Sequence, residues 1–238
     1  MKNNFILLLI LIVTANNSFA ENFNINAKNI TIDKKNEITV FKDSVVIIDE
    51  KKNIIKSEFA SYDKKNDFFI LKNNVSIKDP QGNILKSKEA NYDKKNNLYK
   101  IIGDAKILTA EGYNVDTSDV TLDTFKRILF SQKKTRIEDL QYNLIELENF
   151  EYLSVENIFK SIGNIKITDK LNNSYEFSQI YIDEKKREII GTDSKVFLNS
   201  EDFKIKKENK PRVFSNTVSI KNSNTKFTKS VFTLCDYR

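Results

Sequence analysis

Tyr62-Asp63-Lys64-Lys65-Asn66-Asp67-Phe68-Phe69-Ile70-Leu71-Lys72-Asn73-Asn74-Val75-Ser76-Ile77-Lys78-Asp79-Pro80-Gln81-Gly82-Asn83, followed by Ile84 to Tyr92, reads as turn, strand, turn, strand. Asp suits the first turn position because its carboxylate accepts a bond from backbone two residues on. Asn fits a position needing positive φ, Pro80 presets φ, and Gly82 tolerates the left-handed region. Between the turns lie extended runs rich in β-branched and aromatic side chains. Val75 and Ile77 share one face. On the returning strands Ile55 and Ser57 share a face, while Ala60 and Tyr62 have the opposite parity. A β-bulge between them would put both pairs inside.

The unit repeats. Asp33, Asp63, Asp93 and Asp123 stand 30 positions apart, and Asp183 keeps the count. The slot twelve residues on holds Val45, Val75, Ala105 and Thr135. The slot two further holds Ile47, Ile77, Ile107 and Ile137. Ser57, Ser87 and Thr117 recur, as do Ala60, Ala90 and Val120. Such a period marks a protein built by stacking one supersecondary unit, each copy burying its apolar face against its neighbours. Helical periodicity is nearly absent; the best stretch, Ile137 to Phe150, also reads as strand. The fold predicted is all-β, with an apolar interior line and an exterior of Lys, Asn, Asp, Glu and Ser.

Residues 1–20 read as a secretory signal peptide. Lys2 is the basic n-region, Phe5 to Ala15 the apolar core, and Ser18-Phe19-Ala20 the cleavage site before Glu21. The apolar run is short for a membrane span. The domain is expected over 21–220, with 221–238 a tail. A net charge of +6 in a chain with 30% charged residues is modest, and the charges are interspersed. Together with export, this speaks against nucleic-acid binding.

The sequence has no His and one Cys, Cys235, which removes imidazole triads and thiolate metal sites. No cofactor is expected. The repeated Asp residues could be pictured as glycosidase carboxylates, but their place at turn starts suits a turn better. The chain is therefore expected to be no enzyme.

Ala60-Ser61-Tyr62-Asp63 and Ala90-Asn91-Tyr92-Asp93 each precede a strand. Each is followed by a Gly/Asn-x-Val/Ala-x-Ile unit, Asn73-Asn74-Val75-Ser76-Ile77 and Gly103-Asp104-Ala105-Lys106-Ile107, with Gly163-Asn164-Ile165-Lys166-Ile167 as a later echo. This pattern resembles the OstA-like domain of the LptA/LptD lipopolysaccharide transport family over roughly residues 24–200. It is strongest over 30–123, and the Asp slot near 153 is lost. The tail Lys226 to Cys235 is similar to the junction preceding the outer-membrane barrel in LptD-type proteins. The resemblance implies an open two-sheet β-jellyroll (β-taco) built from ~30-residue two-strand repeats. It implies a non-enzymatic role in lipopolysaccharide transport and outer-membrane assembly, in the periplasm and facing the outer membrane. Its partners would be lipopolysaccharide, other Lpt jellyrolls joined by β-strand augmentation, and an outer-membrane barrel to which Cys235 would be disulfide-linked. The lipid seam would run along Val45, Ile47, Ile55, Tyr62, Val75, Ile77, Leu85, Tyr92, Ala105, Ile107 and Val115. A stand-alone LptA-like bridge is the nearest alternative and a surface β-solenoid a more distant one. A membrane barrel is disfavoured because Lys56, Glu58, Lys86 and Lys88 break one face of its strands, and Ser57, Ser87 and Glu89 the other.

Overall fold

The computed structural model describes residues 23–110, 112–183, 185–200, 211–221 and 224–234. The signal peptide and Cys235 lie outside these. The described residues form one antiparallel meander. It opens with β1 (Asn24–Asn26) and β2 (Asn29–Asp33), both paired to β3 (Ile38–Ile48). Then follow β4 (Ile54–Asp63), β5 (Phe68–Lys78), β6 (Ile84–Asp93) and β7 (Leu98–Leu108), each paired to the one before.

The next three crossings are each split in two: β8 (Asn114–Ser118) and β9 (Thr121–Asp123), β10 (Ile128–Ser131) and β11 (Thr135–Glu138), β12 (Leu144–Leu147) and β13 (Phe150–Leu153). Long strands resume with β14 (Ile158–Thr168), β15 (Ser174–Asp183), β16 (Glu188–Phe197), β17 (Arg212–Lys221) and β18 (Asn224–Thr233). Among the described residues β1 and β2 pair only with β3, and β18 only with β17, so both ends of the sheet present unpaired edges.

Each crossing bends once, near its middle, and the sheet closes on itself along that crease. On β3 and β5 the bend is made by two consecutive left-handed residues, Asp43-Ser44 and Asn73-Asn74, where the register shifts. On β7 and β14 it falls at Gly103 and Gly163. The bulge expected on the returning strands thus sits on the outgoing ones. On β4 the change of parity comes without positive φ, and the Ser57 hydroxyl donates to the Phe59 carbonyl at 3.0 Å; Ser87 does the same to Glu89 at 3.1 Å.

Two ladders of turns border the sheet. At one border Asp33, Asp63 and Asp93 accept from the backbone N–H and the side-chain amide of the Asn three residues on, Asn36, Asn66 and Asn96. The left-handed residue is the next one, Glu37, Asp67, Asn97, Arg127, Asn157 and Arg187, rather than the Asn. Neighbouring turns are stitched by Lys64 N–H to Glu37 O and Lys94 N–H to Asp67 O. The other border carries a second series that counting one Asp per repeat misses. Asp49, Asp79, Asp139 and Asp169 accept from the backbone and amide of Asn53, Asn83, Asn143 and Asn173. These are three-residue hairpin loops whose third residue is left-handed, as Gly82 is. Every carboxylate of both ladders is thereby occupied by its own turn.

Candidate functional site: the apolar interior

The register lines up four rows of side chains along the length of the sheet. On one leaf, successive strands oppose Ile25, Ile47, Ile55, Ile77, Leu85, Ile107, Val115, Ile137, Ile145, Ile167, Tyr175, Val196, Val213 and Phe232. On the other leaf the row Tyr62, Phe69, Tyr92, Tyr99, Leu122, Leu129, Tyr152, Phe159, Ile182, Ile189 and Ile220 is aromatic at its start and aliphatic at its end.

Two further rows flank the crease. One runs Phe41, Ala60, Leu71, Ala90 and Ile101, and later Ser161, Ile180, Gly191 and Val218. The other contains the pairs Val45–Ser57, Val75–Ser87, Ala105–Thr117, Thr135–Leu147 and Ile165–Phe177. In the first of these rows large and small residues alternate across the strands, which lets the leaves close without voids.

The sequence-predicted seam residues all fall on these rows. Val45, Val75 and Ala105 lie at the crease. Ile47, Ile55, Ile77, Leu85, Ile107 and Val115 lie on the aliphatic row, and Tyr62 and Tyr92 on the aromatic one. Val45, Ile47, Ile55, Val75, Tyr92, Ala105 and Ile107 are buried, and Tyr62, Ile77 and Leu85 pack half-buried against them. Val115 packs instead with a second cluster around Ile137, Phe150, Ile165 and Phe177. Between the clusters the interior turns polar. Thr117 and Thr135 share a hydroxyl bond of 2.8 Å, and the fully buried Ser131 donates to Ser118 O at 2.7 Å.

The two halves differ at the mouth, where the leaves' free borders face each other. Over the first three repeats the mouth is shut. Tyr62, Phe69, Tyr92 and Tyr99 stack in sequence, with centroids 4.3 Å apart for Tyr62–Phe69 and 3.9 Å for Tyr92–Tyr99. Phe23 lies against Phe69 at 5.1 Å, with the Lys94 ammonium 5.2 Å above its ring. The Tyr99 hydroxyl donates to Asp49 on the opposite border at 3.2 Å. The space between Phe23, Ile47, Ile55, Phe69, Leu71 and Tyr92 has no room for a water molecule. From residue 115 onward the crease remains buried as far as Val218, as do Ile137 and Val196 on the aliphatic row, but Val115, Leu129, Ile145, Phe159, Ile167, Tyr175, Ile182 and Ile189 are only half-buried. This open stretch continues the 30-residue count of the predicted seam: 145 follows 115, and 167 follows 137.

Burial, then the hydrogen bond to Asp67 at 2.7 Å, pushes the Tyr62 phenol up to about 12. Burial moves Tyr92 to about 12 and Tyr99 higher still. Because these folded-state values lie above the ordinary value of 10, the stability they contribute is full below pH 10 and lost as pH rises through about 12. Ionisation of Tyr62 and Tyr92, followed through their own ring resonances, should therefore accompany loss of β-sheet circular dichroism as pH approaches 12; their titration near pH 10 with the sheet intact would contradict the closed mouth.

No protein-family model matches the chain, and no curated protein matches it. Among solved structures it is similar to LptH of Pseudomonas aeruginosa, the LptA-homologous periplasmic component of the lipopolysaccharide transport device. The identity is 10%, 72% of this chain and 82% of that one are covered, and the TM-score is 0.19. It is also similar to the TCP10 domain of Danio rerio CPAP in complex with a STIL peptide, at 7% identity, 74% and 93% coverage and a TM-score of 0.24. At those TM-scores neither likeness bears on what the chain does.

Proposed function

We propose that the chain is a non-enzymatic carrier in lipopolysaccharide transport, acting in the periplasm toward the outer membrane. The supporting observation is the unbroken apolar row from Ile25 to Phe232, closed at the crease as far as Val218 and half-open over most of the mouth from Val115 on. An acyl chain laid there leaves water at roughly 25 cal/mol per Å² of apolar area, while sugar and phosphate stay in solvent. The open edges of β2 and β18 carry exposed Ile30, Ile32, Val231 and Phe232, and suit strand addition by other jellyrolls of the same transport system. In the reading favoured by the tail, the chain is the periplasmic part of an LptD-like protein, with Cys235 disulfide-bonded and a barrel as partner. The stand-alone bridge has its own support, because both sheet ends are unpaired and each could take a neighbour. Non-reducing mass spectrometry separates the two: a disulfide at Cys235 supports the first, a free thiol in the active protein the second.

The carrier reading is tested with photo-crosslinkers in cells. Positions 145 and 167, in the open half, should capture lipopolysaccharide, and position 77, under the shut mouth, and position 64, on a turn, should not. Equal labelling at all four sites would remove the seam.

A further inference from the structure

The turns bordering the open half differ from the rest in one respect. At the first border the turn tips are Lys35, Lys65 and Lys95, then Phe125 and Val155, then Lys185. At the second, Lys51-Lys52 and Gln81-Gly82 give way to Leu140 and Tyr142, then Leu171. These five apolar tips are solvent-exposed: Phe125 at 82%, Tyr142 at 77%, Leu140 at 72%, Leu171 at 51% and Val155 at 50%. They flank the stretch where the interior rows are half-exposed, on both borders. Leu140 lies over Gly112 of the neighbouring turn, but the turns themselves do not require apolar tips, since they close with Lys, Gln or Gly elsewhere.

Tyr142 adds an independent sign. It occupies the left-handed position of its hairpin at φ 63, where the equivalent turns carry Lys52, Gly82, Gly112 and Asn172 and none carries an aromatic. A bulky aromatic in that conformation is held against its local preference. Cations accompany the tips: Lys126 and Arg127 follow Phe125, Lys170 precedes Leu171, and the Lys185 ammonium donates to the Val155 carbonyl at 2.8 Å. Lys126 is 3.7 Å from Asp123, and that carboxylate is also taken by the turn's own N–H groups. The opposing charges are Glu156 and the turn-closing Asp123, Asp139 and Asp169, the last three bonded within their own turns.

We propose that the borders of the open half, through Phe125, Leu140, Tyr142, Val155 and Leu171, dock on an anionic lipid bilayer, so that acyl chains pass sideways between the membrane and the half-open interior. Aromatic and aliphatic tips with neighbouring Lys and Arg are the pattern that seats in the headgroup boundary, the apolar groups entering the acyl layer and the cations meeting lipid phosphates. The occupant is a bilayer rather than a protein groove because the apolar groups are spread over four turns, Leu140 and Tyr142 sharing one, with charged residues between the turns. The proposal rests on the carrier reading for its purpose, but docking is measured separately from acyl capture.

The test is co-sedimentation of the full chain with vesicles of phosphatidylethanolamine and phosphatidylglycerol, and with phosphatidylcholine vesicles as the neutral arm. Binding should be stronger to the anionic vesicles and weaken with salt. Tyr142→Gly restores the residue type its backbone favours, so it should fold at least as stably. Combined with Phe125→Ser it should lower vesicle partitioning about tenfold or more. Lys65→Ser, on the closed half, should change it little. Absence of vesicle binding, or equal binding by the double variant, overturns docking. A concentration-dependent dimer abolished by the double variant would make the tips a self-interface and also overturn it. Crosslinking at position 167 surviving in the double variant's purified, lipid-loaded form would show that the carrier reading stands without docking.

Discussion

Leu71→Ala will cost about 2–5 kcal/mol of folding free energy, the range for emptying a well-packed core site. Leu71 is 1% exposed and sits at the crease between Ala60 and Ala90, both fully buried. Its two cross-strand neighbours are already the smallest side chains the row allows, so neither can swing in to fill the space. Equilibrium urea unfolding followed by circular dichroism will read the loss. The double variant Ala60→Leu/Leu71→Ala exchanges the large and small positions of one pair, and should recover part of it. A loss below 1 kcal/mol for the single variant would mean that the crease is loosely packed.

The second large effect is expected at the other end. Gly191→Leu will destabilise the fold by about 3 kcal/mol or more through overpacking. A Cβ at Gly191 would stand 2.5 Å from Phe177 Cδ1 and 2.8 Å from Cε1. Gly191 opposes Ile180 on one side and Val218 on the other, all buried at the crease. Phe177→Ala opens room for the new side chain. The Gly191→Leu/Phe177→Ala double variant should therefore be more stable than the sum of the single effects predicts, by about 1 kcal/mol or more. Additive losses in thermal melts would separate the two sites and refute the contact.

Both positions show what the sequence displays and what it hides. Period and parity were enough to place Val45, Val75 and Ala105 on the crease and Ile47, Ile77 and Ile107 beside it, because a strand fixes the facing of every second residue. Parity says nothing of depth. Ile55 and Leu85 hold equivalent slots, yet one is buried and the other half-buried. Phe23, which precedes the first repeat, shares one closed space with Ile55 and not with Leu85, and the mouth beside them is tied by the Tyr99 hydroxyl to Asp49 fifty residues back. Neither contact is implied by a 30-residue count. The open half was legible in principle, since Ile145 and Ile167 keep the period. It was obscured by the lost Asp at 153 and by strands broken at residues 119–120, 132–134 and 148–149. The second Asp ladder was present in plain spacing, Asp49 with Asn53 and Asp79 with Asn83. It is hidden where Thr109 and Tyr113 replace the pair, the hydroxyl of Thr109 keeping a bond to Tyr113 N–H.

The alternation of large and small residues along the crease constrains how such a chain can grow. Copying one whole unit within the first half repeats a Leu71-like bulk beside an Ala60-like gap and adds two strands, about 10 Å of length. Beyond the polar waist the order is reversed: the outgoing strands bring Ser161 and Gly191, and the returning strands Phe150 and Ile180. A unit carried from one side to the other would set bulk against bulk or gap against gap. The gene can lengthen this protein in steps of one repeat, but each half can be extended only from its own stock.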